Sequence, residues 1–454
     1  MSVPKVEAFA RALRGEVVTS VRTASAAKVA SRVSTLGEAF DDIESARTEA
    51  ARIKDEVLDR LRDLLLEFEA RATARRIQVH WASDAAEANR VVLEICRRVA
   101  EPGAIVAKAK SMATEEIGLN SALEGAGFRP IETDLGEYVV QIDGDHPSHI
   151  VTPIIHKNRV DVARSFVREG LGPYTEDPAE LTMQARAKLR DVFRQASVGV
   201  SGANFLIAET GRIVLVENEG NNRFSTTAPR VHIAVAGIEK LLPSERELPL
   251  FLKLLAGSAT GQRLTTYVHL ISGPREANDP DGPEEVHVIF LDNGRTRVLE
   301  GRYREILRCI RCGACLNVCP VYRQVSGHAY RHVYSGPIGA VLAPALEGID
   351  AIGDLAKAST LCGACEEVCP VKIPIPRMLL ELRDEAARAG LGKRDIPWKR
   401  FATLAGSELL WRAGLTLLPI ARKLPSALGR EWAQKREMPM REGRSFREWW
   451  RERS

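Results

Sequence analysis

The sequence contains almost no cysteine outside one short stretch. Of its eight cysteines, only Cys96 lies outside residues 309–369. The first six residues also lack the apolar core of a secretory signal. Unpaired cysteines in a chain without such a signal fit a reducing compartment, so we predict a cytoplasmic protein that has no structural disulfides.

Long apolar runs and an excess of one charge are missing as well. No stretch of about 18 apolar residues, the length of a membrane-spanning helix, occurs in the sequence. The 64 basic and 60 acidic residues give a formal charge of +4, which argues against a dedicated nucleic-acid binder. A hydrophobic share of 45% is ordinary for a soluble globular protein, and 454 residues suffice for about two to three domains.

Seven cysteines form two regular runs. The first is Cys309-x2-Cys312-x2-Cys315-x3-Cys319-Pro320, and the second is Cys362-x2-Cys365-x3-Cys369-Pro370. In bacterial iron–sulfur proteins of this pattern, three closely spaced thiolates hold one cluster, and the cysteine before proline ligates the other. We therefore predict that a first cluster is held by Cys309, Cys312, Cys315 and Cys369, and a second by Cys319, Cys362 and Cys365. The predicted chemistry is electron transfer.

The second run lacks one ligand. Ser359 stands three residues before Cys362, where the pattern requires a fourth cysteine. Either the second cluster keeps four irons with Ser359 or water on the fourth, or it is a three-iron cluster, or a partner or substrate supplies the ligand. Zinc is the competing metal, but it needs four ligands per site, and seven cysteines do not divide into fours. We predict two [4Fe–4S] clusters, with [3Fe–4S] as the alternative for the second.

Composition and periodicity divide the chain into four regions. Residues 1–75 predict a helical arm, since apolar residues recur there at helical spacing. Residues 76–295 alternate short β-type runs with helical stretches, which predicts an open, mostly parallel α/β domain. Residues 296–390 contain the cysteine runs and predict an α-helical two-cluster ferredoxin-type domain. Residues 391–454 form a basic extension with 15 Lys or Arg, 7 Asp or Glu and five of the six tryptophans.

Individual elements are predicted within these regions. Strands are expected at residues 77–81, 104–108, 129–133, 231–235, 265–270 and 286–291, with a hairpin at 204–216 and a helix at 375–389. Cys96 shares a helical face with Val92, Ile95 and Val99, so we interpret it as a core residue. Residues 404–428 could lie on a membrane surface as an amphipathic helix, but the prolines that interrupt them favour contact with protein.

Polar residues follow several of the predicted strands. Ligands of open α/β sheets bind at the carboxyl ends of strands, so we predict one crevice there. Candidate residues for binding a substrate or anion are Lys110, Ser111, Thr114, Glu116, Asp134, Glu217 and Asn221. The alternative is that these residues are caps and turns, which their residue types form routinely. His328 and His332, after the first cysteine run, could ligate a cluster, donate hydrogen bonds near its sulfur or simply pack.

The motifs together resemble one family. Residues 309–322, 334–342 and 361–374 are similar to the iron–sulfur subunit of bacterial L-lactate utilisation, the lactate utilisation protein B family. Residues 110–116, 132–137, 198–204 and 217–221 resemble the family's lactate-utilisation domain, and the tail resembles its C-terminal extension. The resemblance implies an α/β domain related to the ribose-phosphate isomerase and CoA-transferase type. In that family a serine also stands at the position of Ser359, and both clusters are usually four-iron.

The resemblance also implies a function. It implies oxidation of L-lactate to pyruvate with two partners, a cysteine-rich-domain protein and a second lactate-utilisation-domain protein. Our leading hypothesis is therefore an electron-transfer subunit of a lactate-oxidising complex, with the question of a catalytic step in this chain left open. The main alternative is an acyl or CoA enzyme in which Glu217 or Glu219 is the nucleophile and the clusters serve structure or sensing. A third hypothesis is a scaffold that assembles the complex through the arm and the basic tail.

Overall fold

The computed structural model describes residues 17–391, 398–421 and 446–453. The chain divides into two compact units, Met1–Leu391 and Gly392–Ser454. The first unit contains the predicted arm, α/β and cysteine-rich regions, and the second contains the basic extension.

Two sheets lie in the first unit. Its strands are, in chain order, β1 Ile77–Ala82, β2 Ile105–Lys108, β3 Arg129–Glu132, β4 Val198–Ser201, β5 Phe205–Ile207, β6 Arg212–Glu217, β7 Val231–Gly237, β8 Leu241–Leu242, β9 Tyr267–Ile271 and β10 Glu285–Leu291. The larger sheet has the order β1-β10-β7-β4-β2-β3, and every neighbouring pair is parallel. Its central strand β7 is buried along its whole length, as in a sheet covered on both faces. The predicted open α/β architecture is confirmed.

The smaller sheet was not predicted as a separate layer. It has the order β8-β5-β6-β9, in which β5 and β6 form the expected hairpin. Gly211 closes that hairpin with a φ of 68°, a conformation that favours glycine. Strand β4 was missed altogether, because Gly199 and Ser201 give its four residues little β-propensity. Gly199 is required there, since a Cβ at this position would lie 1.7 Å from the carbonyl oxygen of Ser225.

Helices surround the sheets. In chain order they are α1 Val17–Ala39, α2 Ile43–Asp59, α3 Leu61–Ala74, α4 Ala85–Val99, α5 Met112–Glu116, α6 Leu119–Gly125, α7 Leu135–Ile142, α8 Arg159–Arg168, α9 Pro178–Gln195, α10 Asn221–Thr227, α11 Leu248–Thr260, α12 Arg295–Glu300, α13 Ala314–Val318, α14 Tyr322–Val325, α15 Gly336–Glu347, α16 Ile349–Ile352, α17 Ala364–Glu367 and α18 Ile375–Arg388. Cys96 lies fully buried in α4, as predicted. Helix α18 confirms the helix predicted after the second cysteine run.

The cysteine-rich region shares its core with the α/β region. Side chains such as Leu316, Tyr322 and Leu379 belong to the same hydrophobic core as Phe205 and Phe251 of the smaller sheet and α11. Burial of this apolar surface, worth about 25 cal/mol per Å², holds the cysteine loops against the α/β layers. The two regions are therefore fixed relative to each other by a continuous core.

The helical arm lies on the rest of the first unit. Helix α1 packs on α11 and α13. Asp42 caps α2 by accepting the backbone N–H groups of Glu44 and Ser45. Arg32 of α1 donates to the carbonyl oxygen of Val368 at 2.9 Å, and Arg47 of α2 donates to that of Cys369 at 2.9 Å. The arm thus bridges the α/β layers and the second cysteine run.

The second unit is helical where it is described. It contains α19 Trp398–Gly406, α20 Glu408–Ala421 and α21 Phe446–Arg451. Part of the predicted amphipathic segment, residues 422–428, lies outside the described residues. In the described ranges, no helix combines the length and the apolar character needed to cross a bilayer.

Candidate functional site

The structure brings the seven cysteines of the two predicted sets close together. Cys309, Cys312, Cys315 and Cys369 all line one cavity. In the other set, burial and the neighbouring thiols of Cys319 and Cys362 together raise the pKa of Cys365 to about 12. The seven thiols lie close to one another, while their roles as iron ligands and their division between two clusters stay predictions.

The surroundings of the sulfurs fit an iron–sulfur cluster. Backbone N–H groups of Arg311, Tyr322 and Ile373 donate to the sulfurs of Cys309, Cys319 and Cys369 at 3.4, 3.4 and 3.3 Å. Such hydrogen bonds are characteristic of cluster-bound cysteine sulfur and help to set its potential. Burial also raises the pKa of the Cys312 thiol to about 12, so a positively charged iron centre is needed to hold it as thiolate.

The two cysteine loops repeat one backbone design. Arg311 and Leu361 have φ values of 61° and 57°, and the glycines that follow Cys312 and Cys362 have φ values of 72° and 87°. The N–H of Leu361 donates to Ser359 Oγ at 3.1 Å, just as the N–H of Arg311 donates to Cys309 Sγ. The hydroxyl of Ser359 therefore occupies the place that a thiol takes in the first loop.

A crevice of about 490 Å³ opens at the carboxyl ends of the strands. Five of the seven predicted binding residues line it, namely Lys110, Ser111, Asp134, Glu217 and Asn221. Thr114 does not, because it is fully buried and its hydroxyl donates to the carbonyl oxygen of Ser111 at 2.8 Å. Glu116 does not either, because its carboxylate accepts two hydrogen bonds from Arg295 at 2.9 and 2.8 Å. Thr114 and Glu116 therefore do not line the crevice, which the prediction of one shared site did not anticipate.

Three helix N-termini at this crevice are already capped. Ser111 Oγ accepts the N–H of Thr114, and Asp134 Oδ1 accepts that of Glu137. Glu217 accepts the N–H groups of Asn222 and Arg223 at the start of α10, at 2.7 and 3.0 Å. Ser111, Asp134 and Glu217 therefore act as helix caps, as the alternative interpretation proposed. They also line the crevice.

The two candidate nucleophiles differ in their environment. Besides its backbone partners, Glu217 contacts the Nε2 of His269 at 2.6 Å, which leaves its carboxylate fully engaged. Burial, together with nearby Asp134, raises the pKa of Glu219 to about 7, although the N–H of Leu135 donates to it. Lys110 donates to the carbonyl oxygen of Val151 at 2.6 Å.

One end of the crevice is formed by residues that the sequence did not single out. Glu239, Lys240, Arg295, Arg311 and Tyr334 line it together. Arg311 lies between the first two cysteines and lines both the crevice and the cavity of the first cysteine set. Its Nη2 lies 3.3 Å from Glu239, and its guanidinium stacks 4.8 Å from the Tyr334 ring centroid. The position of Arg311 between two cysteines was the only sequence feature that could have pointed to it as a crevice residue. No sequence feature pointed to Lys240.

The histidines near the first cysteine run have other partners. His328 Nε2 lies 2.6 Å from the carbonyl oxygen of His146, and His332 Nε2 lies 2.6 Å from Glu347. His149 packs against Gly313, where a Cβ would lie 2.9 Å from its ring. The structure thus gives His328 and His332 hydrogen bonds to other protein groups, which was none of the three predicted roles.

Comparison with known proteins covers almost the whole chain. Residues 65–291 match the LUD domain, residues 305–373 a 4Fe-4S dicluster domain, and residues 382–454 the C-terminal region of lactate utilisation protein B. A crystal structure of a DUF162 family protein from Deinococcus radiodurans aligns at a TM-score of 0.28 and 14% identity, over 51% of this chain and 98% of that one. That likeness is too weak to bear on fold or function.

Relatives of similar length are close. The chain is 44% identical to lactate utilization protein B of Macrococcus caseolyticus, over 89% of this chain and 88% of that protein. It is 42% identical to lactate utilization protein B of Anoxybacillus flavithermus, over 90% of this chain and 89% of that protein. It is also 42% identical to the uncharacterized electron transport protein YkgF of Escherichia coli, over 90% and 88%. With its paired cysteine sets, its parallel sheet and these full-length relatives, the chain belongs to the lactate utilisation protein B family of iron–sulfur proteins.

Proposed function

We propose that the chain is the electron-transfer subunit of a cytoplasmic complex that oxidises L-lactate to pyruvate. The observation that carries the proposal is the junction at Arg311, where the α/β crevice meets the cavity of the first cysteine set. A crevice beside one cysteine set, with the second set beyond it, suits a path from a reduced molecule to a surface partner.

The residues divide the task between two sites. Cys309, Cys312, Cys315 and Cys369 would hold one [4Fe–4S] cluster, and Cys319, Cys362 and Cys365, with Ser359 beside them, would hold the other. Each such cluster, when bound, accepts and passes on one electron at a time. Oxidation of lactate to pyruvate releases two electrons and two protons, so two one-electron carriers match the reaction.

One cysteine of the second set reaches the surface. Cys362 is exposed, whereas in the first set Cys312 and Cys369 are buried and Cys309 and Cys315 are half-buried. This favours entry of electrons at the crevice and exit through the second set to another protein. We propose that two other lactate-utilisation proteins, one with a cysteine-rich domain and one with a second lactate-utilisation domain, complete the complex.

The acyl-transfer alternative receives less support. It requires a carboxylate that is free to attack a thioester, and Glu217 is held by His269 and by two backbone N–H groups. Glu219, with a pKa of about 7, would be partly protonated near neutral pH. Replacement of Glu219 by Gln should leave lactate oxidation by the reconstituted complex nearly unchanged, whereas the alternative predicts that it abolishes acyl or CoA transfer and leaves the clusters intact.

The decisive experiment combines metal analysis with spectroscopy. Iron, sulfide and electron paramagnetic resonance (EPR) spectra would be measured on anaerobically purified protein before and after reduction. Two cubane clusters require about eight irons per chain, and Cys312→Ala and Cys365→Ala should each lose about half of them. Cys96→Ala, which alters a thiol outside both sets, is the matched control and should keep all of them. Each cluster variant should also fail to support lactate oxidation by the reconstituted complex, and full activity in both would overturn the proposal.

A further inference from the structure

The Arg311 end of the crevice carries more cationic than anionic groups. Arg295, Arg311 and Lys240 line it, and the carboxylates in contact with them are Glu239 and Glu116. Arg295 uses both carboxylates, because its Nε donates to Glu239 at 2.7 Å and its Nη2 to Glu116 at 2.8 Å. Glu239 is thus shared between two guanidinium groups, and within the described part of the chain Lys240 forms no ion pair with a carboxylate.

Arg311 has hydrogen-bonding capacity left over. Its side chain is only 8% exposed, and its Nη1 is buried without an acceptor among the residues that the structure describes. Its backbone N–H faces the sulfur of Cys309 while its guanidinium lines the crevice. A buried, unpaired donor of a charged group is costly, so an anion in the crevice that accepted a hydrogen bond from Nη1 would remove that cost.

Lys240 provides a second cation at the same place. It follows Glu239 directly and is half-buried against the crevice. Burial and the charge of Arg311 lower its pKa to about 8. Two adjacent cations that repel each other are stabilised together by one anion with two oxygens, which is the geometry of a carboxylate.

The capped helices of the crevice argue against a phosphate ligand. Phosphates are usually bound by free backbone N–H groups at helix N-termini. Here Ser111, Asp134 and Glu217 already accept those N–H groups at α5, α7 and α10. An anion must therefore be bound by side chains, and Arg311 and Lys240 are the ones in place.

We propose that Arg311 and Lys240 bind the carboxylate of a small 2-hydroxy or 2-oxo acid in the crevice, directly beside the first cysteine set. The inference rests on the proposed function, and it names the subunit and the residues that bind the acid. A competing explanation is that both cations serve only to offset the negative charge of a cluster bound by Cys309 and its partners. In that case, an acid in solution would neither bind nor affect the cluster.

The test uses the full chain, purified anaerobically with its clusters. Binding of oxamate, a non-oxidisable analogue of a 2-oxo acid, would be measured by calorimetry, with inorganic phosphate as a second probe. We expect one oxamate per chain and weak or no phosphate binding. Lys240→Gln should weaken oxamate binding by about ten-fold or more, the effect of one charge-assisted hydrogen bond. Lys240→Arg should restore most of the affinity, and Lys357→Gln, a change to an exposed lysine of the cysteine-rich region, should have no effect.

A second measurement addresses the neighbouring cluster. In a redox titration followed by EPR, oxamate should move the midpoint potential of the first cluster to a more negative value, because an added anion disfavours reduction. The second cluster should not respond. Binding unchanged in Lys240→Gln with full iron content, equal binding of phosphate, or no binding to protein whose clusters titrate normally would each overturn this inference and leave the proposed function intact. Absence of redox-active clusters would overturn both.

Discussion

The two cysteine loops have nearly the same backbone but very different surroundings. In the first loop, Gly313 packs against His149, and Arg311 extends into the crevice. In the second loop, a Cβ at Gly363 would meet nothing within 4 Å, and Cys362 is exposed. The comparison shows that the duplicated motif determines the backbone positions of the cysteines. The packing outside the motif determines which loop borders the crevice and which loop faces solvent.

The largest expected difference in stability between the two loops comes from the buried carboxylate of Glu239, which contacts Arg311 of the first loop. Glu239→Ala removes the carboxylate shared by Arg295 and Arg311 and should lower the free energy of unfolding by about 3–5 kcal/mol. Glu366→Ala, at an exposed glutamate beside Cys365, should change it by no more than about 0.5 kcal/mol. Denaturant midpoints of the cluster-loaded proteins, followed by circular dichroism, would measure both, and equal effects would remove the contrast.

The contribution of Glu239 and its two arginine partners to stability should depend on pH. Burial alone would raise the pKa of Glu239, but Arg295 and Arg311 lower it to about 2. A carboxylate with a lowered pKa stabilises the fold above its ordinary value and loses that contribution as the pH falls through the lowered one. The difference in stability between the parent and Glu239→Ala should therefore be constant above about pH 5 and should shrink toward pH 2.

A matched pair of glycines should give the next largest contrast. Both have positive φ values, so Gly363→Ala should cost about 1–2 kcal/mol from the left-handed backbone alone. Gly313→Ala carries the same cost and also forces a Cβ to 2.9 Å from His149, which adds about 1–3 kcal/mol. Thermal unfolding of the two variants would measure the difference, and Gly363→Ala as the less stable protein would contradict this account of the first loop.

The exchange of Ser359 should have a smaller and more local effect. Because its hydroxyl stands where a thiol stands in the first loop, Ser359→Cys should give the second set a fourth thiolate. EPR of air-exposed parent protein should then show a three-iron signal that is absent from Ser359→Cys and increased in Ser359→Ala. Identical signals in all three proteins would mean that this side chain does not contact the cluster.

The smallest contrast is kinetic. Because Cys362 is exposed whereas every cysteine of the first set is half-buried or buried, a chelator added to oxidised protein should remove iron in two phases. The fast phase should belong to the second cluster and should disappear in Cys365→Ala, which leaves only the slow one. A single phase in the parent protein, measured by absorbance of the released iron complex, would show that both sets are equally accessible.

The sequence predicted those features that depend on residues close together in the chain. The cysteine spacing predicted that Cys309, Cys312 and Cys315 lie side by side, and they line one cavity, because the reach of a C-x2-C-x2-C loop is set by a few residues. The strand-end rule also placed Lys110, Asp134 and Glu217 on one crevice. It failed for Glu116, whose carboxylate is drawn away by Arg295, 179 residues later in the chain.

Other features could not be read from the sequence because they depend on distant partners. Strand β4 exists because β2 and β7 flank it, not because its own residues favour a strand. The junction of Arg311 with Glu239 joins residues 72 positions apart. No pattern in either segment indicates that contact, which arises only when the cysteine-rich region docks on the α/β layers.

The two arginines that hold the arm in place depend on residues far along the chain. Arg32 and Arg47 reach acceptors 336 and 322 residues further along the chain. During synthesis the arm precedes both acceptors, and these two hydrogen bonds cannot form until residues 368 and 369 have been made. These contacts can therefore form only once the second cysteine run has been made. In this order of events, helices that are synthesised early are among the last to be secured.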